Sequence, residues 1–276
     1  MKKIICIALA ALLVLSLFAC GTKQNDPVTS PDGSTPVKDD DFSYIEGKKK
    51  IVIGITEYAP MNYYDDSGKL VGFDTEFAEA VCEKLGLTPE FIVIDWSSKE
   101  TELKAKAIDC IWNGLTVLEE RKENMAFTMP YLTNKQCVVI RAEDAGKYTD
   151  VASLSGVAVV AEDGSAGATA IEADLKDSKF TPVDAQSTAL LEVKSKTADA
   201  CVIDISMAKS MTGAGTDYAD LMIVDAIEMM DEEYAIGFRL DSSAVAKFDS
   251  VIKEMLGDGT IEAIAEKYEI TDLLIK

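Results

Sequence analysis

Leu103-Lys104-Ala105-Lys106-Ala107-Ile108-Asp109-Cys110-Ile111-Trp112-Asn113-Gly114 has an echo ninety positions on: Val193-Lys194-Ser195-Lys196-Thr197-Ala198-Asp199-Ala200-Cys201-Val202-Ile203-Asp204. Each stretch reads as a helix end, a tight turn carrying Asp, and a strand of the buried type. Two ordinary α/β units can coincide in this way. The alternative is two similar lobes whose equivalent strand ends, at Gly114 and Asp204, face one cleft. Ligands of open α/β sheets gather beyond the carboxyl ends of the strands, and about 230 folded residues suffice for two lobes of roughly 100 residues each.

Outward from these units the same alternation continues, the signature of α/β architecture. Residues 51–55 form a β-branched strand. Asp74 is placed to cap a helix whose Phe77, Val81 and Leu85 share one face and which ends at Gly86. Residues 91–94 give the next strand, Ser97 with Glu100 makes a capping-box start for a helix through Lys106, and a strand covers 110–115. The second half repeats the scheme with a strand at 157–160, helices at 166–175 and 187–194, and a strand at 200–203.

The amino terminus is of another kind. Met1-Lys2-Lys3 precedes an apolar to weakly polar run over 4–19 that is too short for a spanning helix, which needs roughly 20 apolar residues. It stops at Leu17-Phe18-Ala19-Cys20-Gly21, which resembles a lipobox. Residues 1–19 are therefore expected to be removed as a lipoprotein signal peptide and Cys20 to be acylated; an ordinary signal peptide with a chance cysteine is the competing reading. Residues 20–47, with Asp26-Pro27, Pro31-Asp32-Gly33 and Lys38-Asp39-Asp40-Asp41, read as a lipidated flexible tether. The expected location is the extracytoplasmic face of the cell membrane, with palmitate on Cys20 as the only anchor.

Composition narrows the chemistry. The chain has 27 basic and 48 acidic residues, a net charge of −21, and loss of residues 1–19 removes two lysines and no acid, leaving −23. Phosphate backbones are bound by clustered Lys and Arg; the one obvious cluster, Lys48-Lys49-Lys50, reads as a solvated strand entrance, so nucleic acid is not an expected partner. Histidine is absent, which excludes Ser-His-Asp and Cys-His catalysis and His-ligated zinc. Cys82, Cys110, Cys137 and Cys201 have no CxxC spacing and sit beside apolar residues, as buried small hydrophobes do; whether any of them pair is open.

In this setting the chain resembles the polar amino-acid-binding proteins of ABC importers, solute-binding protein family 3, with the type II periplasmic-binding-protein fold. The resemblance runs in order through Ile53-Gly54 and Tyr58-Ala59-Pro60-Met61, Gly68-Lys69-Leu70-Val71-Gly72-Phe73-Asp74, the stretch from Ile108 to Gly114 and on through Thr116 to Arg121, then Ala126-Phe127-Thr128-Met129-Pro130-Tyr131, and the tail from Asp258-Gly259-Thr260 to Lys267-Tyr268. It implies an α/β fold of two lobes, each a mixed sheet flanked by helices. Lobe 1 is expected at 48–130 and 234–276, lobe 2 at 136–229, with hinges at 131–135 and 230–233.

The resemblance also implies a site. An amino acid brings a carboxylate and an ammonium, and each must find a counter-charge or several hydrogen bonds on leaving water. Arg121 matches the arginine whose planar fork holds the carboxylate; a surface pairing with Glu119 or Glu120 is the bland alternative. Gly114 and Thr116 match positions offering backbone and hydroxyl groups beside it. Ser165 and Ala166, in Asp163-Gly164-Ser165-Ala166-Gly167, open a helix whose free amides suit the same carboxylate, with Ala166 standing where a threonine is common. Asp204 matches the acid that receives the ammonium, and is also placed to cap the helix that follows it. Tyr58 and Trp96 match aromatics that sandwich the ligand side chain. Trp112 points to the same side of its strand as Gly114, into the pocket or into the core. Glu57 and Glu162 would place acids near the far end of the ligand and favour a cationic or strongly polar side chain.

The implied function is extracytoplasmic capture of a polar amino acid, basic ones included, by hinge closure, with delivery to a membrane permease; the protein is expected to act as a monomer, without metal or cofactor. Cystine or another amino-acid derivative is an alternative ligand. A dehydratase of the same fold is the alternative of another class, and the pairing of Asp204 with Arg121 counts against it.

Overall fold

The β-branched run forms the strand Lys50–Ile55, which hydrogen-bonds to a parallel neighbour on each side. The computed structural model describes residues 40–275. The expected signal peptide, Cys20 and the expected tether up to residue 39 lie outside the described residues. Among those described, no helix is long and apolar enough to cross a membrane.

Two mixed sheets organise the body. The first has five strands in the order Thr88–Val93, Lys50–Ile55, Cys110–Ile111, Gly237–Arg239, Met125–Phe127. The second runs Leu221–Ile223, Leu132–Arg141, Ala200–Asp204, Ala158–Glu162, Lys179–Val183. Leu132–Arg141 serves both halves of its length differently. Its first four residues pair antiparallel with Asp231–Tyr234, and residues 136–140 pair antiparallel with Ala200–Asp204. The two segments expected to cross between lobes thus lie side by side in one ladder.

The helix Phe73–Leu85 buries Phe77 and Val81 completely and Leu85 in part, and Gly86 ends it in the left-handed conformation at φ 67°, where glycine carries no Cβ penalty. Fully burying side chains of this size contributes about 1.5–3 kcal/mol each. Trp112 belongs to the same core: Phe77 meets it edge-on at 5.0 Å between ring centroids, and Phe248 lies at 6.2 Å. Cys82, Cys110, Cys137 and Cys201 are buried free thiols, and burial pushes the Cys82 thiol up to about 12.

The structure alters several local expectations. Residues 41–47 are not tether: Asp41–Lys48 is a helix capped by the Asp40 side chain, with Phe42 and Ile45 buried. Eight residues of acidic text with two apolar positions three apart are enough once a core is there to receive them. Asp74 does not cap its helix; Gly72 holds the N-cap position and Asp74 is turned fully inward. Ser97 makes no capping box. Asp95 caps a short 3₁₀ turn, Trp96–Ser98, and the helix Lys99–Lys104 follows and ends two residues early. The strand expected over 110–115 is regular only at Cys110–Ile111.

The sequence echo is an echo in three dimensions. Both helix ends turn through a left-handed lysine, Lys106 at φ 61° and Lys196 at φ 68°. An arginine then clamps each turn. The Arg239 guanidinium donates to the carbonyls of Leu103 and Ile108 and to Asp109; Arg141 donates to those of Val193 and Ala198 and to Asp199. Every partner in the second set lies ninety positions after its counterpart.

Candidate functional site

Arg121 lies in the short helix Glu119–Lys122 and is only 4 % exposed. Its guanidinium does not pair with Glu119, which binds Lys122 at 2.6 Å. It donates instead to two backbone carbonyls, Thr116 O at 2.9 Å and, from the other sheet's side, Gly164 O at 3.0 Å. Burial disfavours its charge, offset in part by Glu232 and more distant acids. A buried guanidinium bonded only to neutral oxygens has the chemistry to receive an anion. Opposite it, Ser165 caps the helix Ala166–Asp174 by accepting from Ala168 N at 3.1 Å, and Ala166 is buried at the head of that helix.

Asp204 ends the strand Ala200–Asp204 at 5 % exposure. It occupies the cap position of the helix Ile205–Met211 but gives it no side-chain hydrogen bond. Its carboxylate accepts from Asn134 at 2.8 Å, Gln136 at 2.9 Å, Tyr234 at 2.6 Å and Gln186. Tyr58 joins the network from the first sheet's side, its hydroxyl 2.6 Å from Ser206 Oγ and 2.7 Å from Tyr234 Oη.

Glu162 closes the strand Ala158–Glu162 at 3 % exposure, and its Oε1 has no hydrogen-bond partner. Burial, with Asp204 nearby, pushes its carboxyl up to about 8. Lys99 is buried beside it, 5.0 Å from the centre of the Trp96 ring, and donates to Trp96 O and Gly164 O. Burial and then the Arg121 charge bring its ammonium down to about 8.

One pocket gathers Tyr58, Trp96, Gly114, Thr116, Arg121, Glu162, Ser165, Ala166 and Asp204, with Asn113 and Gln186 in addition. Its free volume is about 10 Å³, room for about one water. Two expected residues are not in it. Glu57 is exposed: Tyr58 points inward and exchanges backbone hydrogen bonds with Asn62, and in extended chain its neighbour must face the other way. Trp112 fills the core described above. Two expected roles also change. The Gly114 amide already donates to Asp74 Oδ2 at 2.7 Å, and the Thr116 hydroxyl to Glu232 at 2.8 Å. Gly114 is required for shape: at φ 57°, an added Cβ would stand 2.5 Å from the Tyr58 ring.

Residues 51–271 match the family model of bacterial extracellular solute-binding proteins, family 3. The chain belongs to that family. Relatives of this solute-binding protein include the arginine-binding extracellular protein ArtP of Bacillus subtilis strain 168, 30% identical over 97% of this chain and 98% of that protein. Among solved structures, an ABC uptake transporter substrate-binding protein from Streptococcus pneumoniae with bound histidine superposes with a TM-score of 0.78 at 29% identity, covering 86% of this chain and 99% of that one. Tv2483 bound to L-arginine gives a TM-score of 0.77 at 30% identity, covering 85% and 96%. The fold is the two-lobed type II periplasmic-binding-protein fold.

The solute-binding protein also places residues that its sequence did not advertise. Asp74 accepts from Gly114 N and from the Tyr131 hydroxyl at 2.8 Å, so it positions the glycine; burial pushes its carboxyl up to about 6. Asn113 spends its side chain on Thr56 and Asn62, fixing the loop that carries Tyr58. Gln186, one residue before the expected helix start, bonds Asp204 through both ends of its amide. Its polar character at the head of a helix was the one available signal.

Proposed function

We propose that this protein is the substrate-binding lipoprotein of an amino-acid ABC importer and that its ligand is a basic amino acid, L-arginine before the others. The observation that carries the choice is Glu162, a buried acid with an unpartnered oxygen in the pocket. A buried carboxylate gains most from a cation that also donates hydrogen bonds. The α-carboxylate would replace Gly164 O on Arg121, the α-ammonium would go to Asp204, and the aliphatic stem would lie between Tyr58 and Trp96. ArtP is named for arginine, which supports the same reading. A free volume of about 10 Å³ admits no amino acid, so the lobes must part and reclose about the strands Leu132–Arg141 and Asp231–Tyr234. Acylated Cys20 would keep this cycle beside the permease, with no part in catalysis.

A second reading rests on Lys99. A second buried cation beside Arg121 suits a ligand with a second carboxylate, such as cystine. Thermal-shift screening of the full chain against arginine, lysine, histidine, glutamine, leucine and cystine separates the two. Arginine is expected to stabilise most, and Glu162→Gln to cost it at least tenfold in calorimetry. Stabilisation by cystine or leucine alone overturns the basic ligand, and a Cys20→Ala protein that stays at the membrane overturns the anchor.

A further inference from the structure

The acid that faces the pocket at Asp204 is one of a pair. Glu232, on Asp231–Tyr234, is 7 % exposed, and its Oε1 accepts from the same two amides as Asp204 Oδ1. Gln136 Nε2 lies 2.9 Å from Asp204 Oδ1 and 3.0 Å from Glu232 Oε1, and Asn134 Nδ2 reaches both oxygens as well. Asn134 Nδ2 is also within reach of Tyr234 Oη and Lys135 O. It has two hydrogens for four oxygens. Two of those four contacts therefore carry no hydrogen, and with both acids ionised Asp204 Oδ1 and Glu232 Oε1 compete for the same few donors.

The charges around the pair do not cure this. Arg121 faces it from the helix Glu119–Lys122, while Glu162, from Ala158–Glu162, is itself raised by burial and by Asp204 and brings the pair no cation. Lys99 lies toward Glu162 rather than toward the pair. The hydroxyls of Tyr58 and Tyr234 face it and stay protonated. A groove that Glu232 also lines carries Lys122, Lys135 and Lys209 against Glu119, Asp231 and Glu233, equal numbers of each sign. Two carboxylates in one buried site do not both ionise without a cation between them.

We infer that Asp204 and Glu232 hold one proton between them in the empty site, and that the ammonium group of an entering amino acid displaces it. The inference rests on the reading that an α-ammonium is received at Asp204. Burial and the neighbouring Asp204 raise Glu232 well above the ordinary carboxyl range, in the same sense. The exchange balances at this end of the pocket: the proton leaves to solvent, the ammonium keeps its three hydrogens and donates to the two carboxylates, and one positive charge replaces another there. A site that swaps one positive charge for another avoids accumulating uncompensated charge away from water. Glu232 then acts as a specificity-determining residue, because only a ligand carrying a cation at that end can take the place of the proton.

Two measurements test this in the full chain with Glu162→Gln, which removes the other acid raised to about 8. At pH 8, where Asp74, raised to about 6, is ionised, the ligand-free infrared spectrum should show the carbonyl stretch of a protonated carboxyl. Saturation with the amino acid that gives the largest thermal shift should remove that band. Calorimetry in phosphate and in Tris should show about one proton released per ligand, and affinity rising with pH by up to tenfold per unit. In the Glu162→Gln/Glu232→Gln protein both the band and the release should vanish. Absence of the band in the ligand-free protein overturns the inference, as does a band that persists when a ligand is bound. If no amino acid binds the unaltered chain, the amino-acid reading fails by itself, and the displacement step fails with it whether or not the band is present.

Discussion

Two strand ends lie ninety positions apart in sequence and on either side of one pocket, and they do opposite things. In the first sheet the strand beginning at Cys110 runs beside Lys50–Ile55, Ile53 opposite Cys110; in the second, the strand beginning at Ala200 runs beside Ala158–Glu162, Val159 opposite Ala200. That register makes Thr56 the counterpart of Glu162 and Gly114 the counterpart of Asp204. Thr56 is neutral, its backbone and hydroxyl both bonded to Asn113. Glu162 is acidic with an oxygen left over. The arginine-clamped turns at the far ends are alike in both units. Fold and chemistry have therefore been divided within one supersecondary unit: the turn end is repeated, and the pocket end varies. In the first lobe the strand ends supply shape, and the cation comes from elsewhere as Arg121. In the second they supply the acids.

Breaking the clamps gives the largest expected effect and shows whether the two turns are equivalent in energy as well as in geometry. Arg239 also binds Asp41, and it shares the fully buried Asp109 with Lys48. Arg141 binds Asp144 and Asp199, whose side chains are 17 % and 39 % exposed. Arg239→Met leaves a buried acid with half its compensation and should cost about 3–5 kcal/mol. Arg141→Met should cost about 1–3 kcal/mol, because water can reach the acids it abandons. Urea unfolding of both variants measures the gap; equal losses would mean that the burial of Asp109 carries no weight.

The next effect tests Thr56 against Glu162. The Glu162 carboxyl is raised from 4.5 to about 8 in the folded protein. A raised carboxyl contributes stability that is fully present below the unfolded value and is lost as pH rises through the folded one. The ligand-free protein should therefore lose stability between about pH 4.5 and 8 relative to Glu162→Gln, by an amount on the order of a few kcal/mol. Melting curves of the two proteins should meet at low pH and diverge above it. A constant offset across that range would mean that Glu162 is ionised throughout.

Gly114→Ala comes third. It forces a left-handed Cβ against Tyr58 and, at 3.1 Å, Tyr234, which should cost about 1–3 kcal/mol and at least tenfold in ligand affinity. Ser206→Ala, on the same network in the second lobe, should cost less in both, since it removes one hydroxyl contact to Tyr58 and no shape. A Gly114→Ala protein that binds normally would show that the strand end in the first lobe is not a shaped surface.

The division between the two ends also explains what could be read from the sequence. The turns were legible because their chemistry is local: helix end, left-handed residue and Asp fall within seven positions. Nine of the eleven expected pocket residues line the pocket, each of them carried by the resemblance. Glu57 was misplaced because direction in an extended segment depends on register, which one strand alone does not reveal. Asp74 reads as a cap because an acid at the head of a helix looks the same whether it turns to its own amides or inward to Gly114. Glu232 and Gln186 were invisible as partners of Asp204 because they meet it only through the pairing of Leu132–Arg141 and the packing of the helix Gln186–Lys194. The helix at Asp41–Lys48 was hidden by the acids around Phe42 and Ile45.

The smallest effect probes the turns themselves. Lys106 and Lys196 are both left-handed, a conformation that costs a residue with a Cβ about 1–2 kcal/mol, against about 0.5–1 kcal/mol of extra chain entropy lost by glycine. Replacement by glycine should on that ground stabilise each turn by about 0.5 kcal/mol. The side chains differ, however. Lys106 Nζ lies 4.4 Å from the centre of the Tyr44 ring, a contact worth about 0.5–1 kcal/mol. Lys196 pairs at 2.7 Å with Glu143, both side chains more than half exposed, which contributes little. Lys196→Gly should therefore raise stability by about 0.5 kcal/mol and Lys106→Gly should leave it unchanged. Equal gains would show that the Tyr44 contact contributes nothing, and a loss at both positions would show that these left-handed turns are not strained, so that the lysines are there for their backbone conformation and not in spite of it.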